Sequence, residues 1–145
     1  NIIPNEVTMV GTARTLNEDD RDLVERRLGE IARGIAKTHG GDAEVDYRRM
    51  YPVLINDPLV TQKLIEVGQD LFPGQVHVLD KATMGGEDMA FFLQEVPGSY
   101  LFLSNLNEVD GQKHPHHNSK FDVDEAEFYK GIAIFLGAIQ KLGGK

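Results

Sequence analysis

The sequence predicts an α/β protein in which helices and β-strands alternate along the chain. Three observations support this fold class. Two segments near the N-terminus show the two-residue hydrophobic period of strands, and they flank one long amphipathic helix. Further along, short apolar runs alternate with amphipathic helical stretches, which is the order of a layered α/β domain. A hydrophobic fraction of 41% over 145 residues is enough for a packed core.

The N-terminal third predicts a strand, a helix and a second strand. Residues 6–16 alternate between apolar and polar side chains, as a strand requires. Residues 17–41 predict a helix that Asn17 caps and Gly40 ends. Its inward-facing stripe is predicted to consist of Leu23, Val24, Leu28, Ile31 and Ile35. Residues 42–53 predict the second strand, and two strands need further partners to be stable.

The second part of the chain begins near residue 54. Asp57 and Pro58 predict the N-cap and first position of a helix that runs to about Phe72. Its predicted inner face consists of Val60, Leu64, Val67 and Leu71. Residues 75–80 predict a short strand that follows this helix.

A glycine-rich turn and a short helix are predicted over residues 84–96. The apolar segment 99–104 predicts a strand that is covered on both faces. The last helix is predicted from Asp122 to Leu142. Its inward-facing residues are predicted to be Phe128, Ile132, Phe135, Leu136 and Ile139.

Composition excludes several classes of function. A formal net charge of −8 and a pI near 5.0 argue against nucleic-acid binding, which requires clustered basic residues. There are no cysteines, so neither disulfides nor thiolate chemistry are available. No apolar run is long enough to span a membrane and no signal peptide is visible, so we expect a cytoplasmic protein. The apolar opening at Asn1, without an initiator Met, suggests a chain entered partway through a domain.

Three histidines in the segment KHPHHNSKF are candidate metal ligands. They are His114, His116 and His117, and neighbours on one extended loop cannot all reach a single ion comfortably. The residues alone therefore leave three interpretations open. The segment is an exposed polar loop, the source of one ligand, or a complete local site. His39 and His77 are expected to be structural.

Other candidates also have a structural and a functional interpretation. Gly85 and Gly86 permit close approach of the backbone to a ligand, or they form an ordinary tight turn. Glu87, just after them, is a candidate ligand or base, or a helix-capping acid. Arg14 is a substrate clamp or a surface ion-pair partner, and Asn56 is a binding residue or a turn former.

Four motifs in one order, NIIPNEVTMVGTARTL, YPVLINDP, GGEDMAFFLQEVPGSYLFLS and HHNSKFDVDE, extend over nearly the whole chain. Together they resemble the C-terminal half of the two-metal amidohydrolase and peptidase family, which includes hippurate hydrolase, N-acyl-amino-acid amidohydrolases and indoleacetyl-amino-acid hydrolases. The resemblance implies a metallo-aminopeptidase-like α/β catalytic domain interrupted by a ferredoxin-like α+β lid. Residues 1–53 would be the C-terminal part of that lid, which also forms a homodimer. Residues 54–145 would close the catalytic domain.

The resemblance also implies roles for individual residues. The family's histidine motif places a metal ligand at His117, with Ser119 where proline is usual. Substrate-binding roles fall on five residues: Arg14, Asn56, Gly85, Gly86 and Glu87. The full enzyme would hold two divalent ions, zinc or manganese. The other ligands and the general base precede the lid, so no catalytic residue is expected here.

The sequence therefore suggests the C-terminal portion of a metal-dependent amidohydrolase that cleaves N-acyl amino acids. It is expected to be inactive without the missing N-terminal catalytic half. One alternative is a non-catalytic module for dimerisation or ligand binding, or half of a split enzyme. A third hypothesis is a free-standing protein that binds one metal ion through the histidine loop.

Overall fold

A computed structural model describes residues 1–144 of the chain. The chain separates into two compact units, the first formed by Asn1–Leu54 with Asp80–Phe91, and the second by Ile55–Leu79 with the chain from Phe92 on. The regular elements are helices α1 (Glu18–Thr38), α2 (Pro58–Leu71), α3 (Met89–Glu95) and α4 (Phe128–Gly143), a 3-10 turn (Glu125–Glu127), and strands β1 (Glu108–Val109) and β2 (Gln112–Lys113). None of these helices combines the length and apolarity needed to cross a lipid bilayer.

Helix α1 organises the first unit, and its ends are those predicted from the sequence. The side chain of Asn17 accepts a hydrogen bond from the Asp20 amide at 2.7 Å, and Gly40 follows the helix with a φ of 77°. Arg49 ties the following segment to the helix through Asp22 at 2.5 Å and Glu25 at 2.6 Å. The hydrogen bonds that Arg49 donates to Glu25 and then to Asp22 raise the pKa of Arg49.

The predicted strands are the main correction to the sequence analysis. Within residues 1–144, segments 6–16, 42–53, 75–80 and 99–104 pair with no neighbouring strand. The sheet that is present is the antiparallel β1–β2 hairpin. Alternating side chains specify which faces a strand would have, but a strand also needs backbone hydrogen bonds from a neighbour. The α/β layer predicted from the sequence is therefore not completed by the described residues.

Close packing of α2 against α4 forms the centre of the second unit. A Cβ built on Gly137 of α4 would lie 2.5 Å from Cγ1 of Val67, and one on Gly68 of α2 would lie 3.5 Å from Cδ1 of Ile134 on α4. Val67 is buried as a result. Lys141 binds Glu66 across the two helices at 2.7 Å, and this hydrogen bond lowers the pKa of Glu66.

The apolar stripe predicted to face inward on α4 faces outward instead. Its members are between 48% and 73% exposed: Phe128, Ile132, Phe135, Leu136 and Ile139. Helix α4 packs on α2 through the face that carries Ile134 and Gly137, because that face allows the helix backbones to approach closely. The stripe on α1 is also only half covered, with Leu23, Leu28, Ile31 and Ile35 between 47% and 59% exposed.

Replacing Gly137 by alanine should destabilise the second unit, because the new methyl group collides with Val67. We expect a loss of about 1 to 3 kcal/mol in the free energy of unfolding, measured by urea titration of the helical circular-dichroism signal.

Gly131→Ala is the matched control on the same helix, since nothing lies within 4 Å of its Cβ position. Higher helix propensity should make this variant more stable by up to about 1 kcal/mol. Equal effects of the two substitutions would contradict the close approach of α2 and α4.

Candidate functional site

The histidine loop is built on the β1–β2 hairpin of the second unit. Asp110 and Gly111 form its turn with φ values of 54° and 75°. Lys120 contacts the carboxylate of Asp110 at 2.6 Å. Nε2 of His114 lies 3.2 Å from the carbonyl oxygen of Val109. These contacts fix both ends of the segment between the hairpin and Phe121.

The three histidines of this loop have different surroundings. His114 is engaged with the Val109 carbonyl, and the ring of His116 packs edge-on against Phe121 with centroids 4.8 Å apart. For His117, residues 1–144 provide no hydrogen bond, ion pair or ring contact. Its φ of 68° lies in the left-handed region, which is uncommon outside glycine and is found more often at functional sites. His117 is thus the histidine of the loop whose imidazole is available to an external ligand.

A complete metal site is absent from the part of the chain that the structure describes. No three His, Cys, Asp or Glu side chains converge within residues 1–144. Catalytic zinc sites use three protein ligands and structural ones use four. His117 can therefore supply one donor, and a metal ion would need further ligands from outside the described residues.

The glycine turn lies in the first unit, beside the end of the first extended segment. Nη1 of Arg14 donates a hydrogen bond to the carbonyl oxygen of Met84 at 2.8 Å. A Cβ on Gly86 would lie 3.0 Å from the ring of Tyr51. The carboxylate of Glu87 accepts from the Met89 amide at 3.5 Å, at the start of α3.

Four of the five predicted substrate-binding residues therefore belong to one local arrangement: Arg14, Gly85, Gly86 and Glu87. Tyr51 is a member that the sequence analysis missed. A large aromatic residue beside a proline was the available signal, but a lone aromatic does not indicate what it will contact.

Asn56 lies in the second unit and bonds to the backbone of Tyr100. Its Nδ2 donates to the Tyr100 carbonyl at 3.0 Å, and its Oδ1 accepts from the Tyr100 amide at 2.8 Å. The next residue continues this connection, since the Asp57 amide donates to the Gly98 carbonyl at 2.8 Å. The side chain of Asn56 thus takes the place of a strand neighbour for Tyr100. A direct role in substrate binding stays a prediction.

The model of Peptidase family M20/M25/M40 matches residues 4–141. The chain belongs to this family. The N-acetyldiaminopimelate deacetylase of Geobacillus sp. (strain WCH70) is 32% identical over 139 residues, which are 96% of this chain and 35% of the relative. Thermostable carboxypeptidase 2 of Saccharolobus solfataricus is 36% identical over 126 residues, 86% of this chain and 31% of the relative.

A third member of the M20 group, the N-acetyl-L-cysteine deacetylase of Bacillus subtilis, is 30% identical over 143 residues, 98% of this chain and 32% of the relative. The crystal structure of a "putative aminohydrolase" from methicillin resistant Staphylococcus aureus is similar to this chain with a TM-score of 0.64 and 20% identity. The matched region is 89% of this chain and 33% of that protein, and the likeness supports the fold. The M20 chain thus spans about a third of the length of the curated relatives it matches.

Asn56→Ala should destabilise the second unit of this M20 chain by about 1 to 3 kcal/mol, because two partly buried groups of Tyr100 lose their partner. Thermal unfolding followed by circular dichroism measures the effect.

Asn105→Ala is the control, since it removes one exposed hydrogen bond to the Asp124 carbonyl. We expect it to cost about 1 kcal/mol or less. If Asn56→Ala were as mild as the control, the contacts with Tyr100 would not be a structural requirement.

Proposed function

We propose that the chain is the C-terminal portion of a metal-dependent amidohydrolase that acts on N-acyl amino acids. Membership of the M20 family supports an amide-bond hydrolase. Two relatives are deacetylases of N-acetylated amino acids by name, and one is a carboxypeptidase. All three names describe cleavage of an amide in a substrate that carries an amino-acid carboxylate.

The observation that carries the proposal that this chain is one portion of a larger enzyme is the amount of accessible surface left uncovered. The accessible surface is 12153 Å², whereas two compact domains of half this mass would together expose about 8900 Å². Among residues 1–144, the buried hydrophobic residues are Val67 and Ala90 alone. Unpaired strand segments and exposed helix stripes are the surfaces that a further polypeptide would cover.

Each candidate residue has a role in this proposal. His117 would provide one ligand to a divalent ion, zinc or manganese, with the other ligands from the missing N-terminal half. Such an ion, when bound, polarises an amide carbonyl and lowers the pKa of water. One guanidinium nitrogen of Arg14 donates a hydrogen bond to the Met84 carbonyl. The remaining N–H groups of this side chain can bind a substrate carboxylate. Gly85 and Gly86 let the backbone approach the substrate, and Glu87 lines the same turn.

The test is to express the longest reading frame that contains this chain and to measure hydrolysis of hippurate and N-acetyl amino acids with zinc or manganese. We expect the longer protein to be active and the 145-residue chain alone to be inactive. His117→Ala should lower kcat/KM by more than about 100-fold, because a ligand to the ion is lost.

His116→Ala is the matched control, since His116 packs on Phe121 within the loop. Its activity should stay within about threefold of the parent if folding is retained. If the isolated 145-residue chain hydrolysed these substrates by itself and His117→Ala abolished that activity, the proposal that the chain needs a second portion would be contradicted.

A non-catalytic dimerisation module is the second candidate, and the exposed N-terminal segment favours it. Ile2, Ile3, Met9 and Val10 are each at least 90% exposed on backbone without a strand partner. We expect the isolated chain to self-associate, with a sedimentation coefficient that rises with protein concentration. Met9→Lys with Val10→Lys should weaken association, and a monomer at high concentration would argue against the module.

A further inference from the structure

We propose that Tyr51 and Arg14 are positioning residues that hold the turn at Gly85 and Gly86 from two sides. The inference rests on the proposed function, in which this turn lines the amide substrate. It assigns a role to Tyr51, and it adds to the role of Arg14 a structural contact with the turn. All of these residues belong to the first unit.

Tyr51 supports the turn through its ring. A Cβ on Gly86 would lie 3.0 Å from Cδ2 and 3.7 Å from Cε2 of Tyr51, so the α-carbon of Gly86 packs on the ring. The ring of Tyr51 also meets that of Phe91 edge to face, with centroids 6.1 Å apart and an angle of 67°. Phe91 belongs to α3, so Tyr51 connects the turn to the helix that follows it.

The requirement for glycine at position 86 is one of space. The residues with positive φ do not include Gly85 or Gly86, so neither needs the left-handed conformation. Nothing lies within 4 Å of a Cβ on Gly85, whereas a Cβ on Gly86 meets Tyr51 and lies 3.8 Å from Nη1 of Arg14. The two adjacent glycines are therefore not equivalent, and Gly86 is the one that must remain small.

The side chain of Arg14 supports the turn through a hydrogen bond to the backbone at the start of the turn. Its Nη1 donates to the carbonyl of Met84, across 70 residues of sequence, at 2.8 Å. Two adjacent glycines have no side chains to restrain them and lose much conformational freedom when ordered. A hydrogen bond before the turn and a ring against its second glycine supply that restraint. Such ordering is what a site needs to hold a substrate in one geometry.

The first experiment is NMR on the 145-residue chain carrying ¹³Cα-labelled glycine. The spectrum of Gly86→Ala identifies the Gly86 signal by its disappearance. We expect the ring current to displace the α-proton resonances of Gly86 from those of Gly85, because Gly86 lies against the ring of Tyr51 and Gly85 does not. Tyr51→Phe should keep this shift, and Tyr51→Leu should abolish it. A Gly86 shift that Tyr51→Leu leaves unchanged would overturn the inference.

Backbone ¹⁵N relaxation of Gly85 and Gly86 tests the restraint itself. Tyr51→Leu and Arg14→Gln should each lower the order parameter of both glycines by about 0.2, because the turn becomes more mobile. Tyr51→Phe should keep the parent values, which separates loss of the ring from loss of the hydroxyl. Gly85→Ala is the structural control for Gly86→Ala, and only the latter should increase the mobility of the turn. Equal order parameters in all variants would overturn the inference.

The longer hydrolytic protein provides the functional test. Tyr51→Leu should lower kcat by about tenfold with a smaller change in KM, whereas Tyr51→Phe should keep the kcat of the parent protein. An unchanged kcat in Tyr51→Leu, despite a mobile turn, would overturn the positioning role. If the NMR signature is present but no N-acyl amino acid is hydrolysed, the proposed function fails while the packing of Tyr51 on Gly86 stands.

Discussion

The close approach of α2 and α4 is the interaction on which the second unit depends. Gly137 brings the α4 backbone to within a methyl group of Val67, and a Cβ on Gly68 of α2 would lie 3.5 Å from Cδ1 of Ile134 on α4. Small residues at a helix contact allow interdigitation that a larger residue would prevent. This choice of contact face determines where the bulky side chains of α4 lie. Phe135 and Ile139 are exposed because the other side of the helix is the one that packs.

The histidine loop precedes α4, and its internal contacts distinguish three residues of the same type. The Val109 carbonyl engages His114 and the Phe121 ring engages His116. His117 is left with a left-handed backbone and an available imidazole. A single donor is insufficient for a catalytic ion. Under the proposed function, His117 would provide one ligand to a site that a larger polypeptide completes.

Much of the local structure was predictable from the sequence, and some of the site was not. Asn17 and Asp57 mark the starts of α1 and α2 because a capping side chain acts within three residues of itself. The family resemblance was confirmed by the match over residues 4–141. The hydrogen bonds between the Asn56 side chain and the Tyr100 backbone could not be predicted, since a contact across 44 residues leaves no local pattern in the sequence. The fit of Gly86 against Tyr51 escaped prediction for the same reason.

The sequence by itself determined the existence of the helices, the starts of α1 and α2 and the order of motifs, because capping, hydrophobic period and charge act over a few neighbouring residues. The predicted start of the last helix at Asp122 was wrong, since α4 begins at Phe128 after a 3-10 turn. The sequence also determined which side chains a strand in segment 6–16 would place on each face. The tertiary structure decided which face of α4 packs, which histidine is unengaged and which glycine must stay small. It also decided that the extended segments pair with nothing among residues 1–144. The physical reason is that packing and strand pairing depend on partners distant in the chain, whose surfaces a local pattern does not encode.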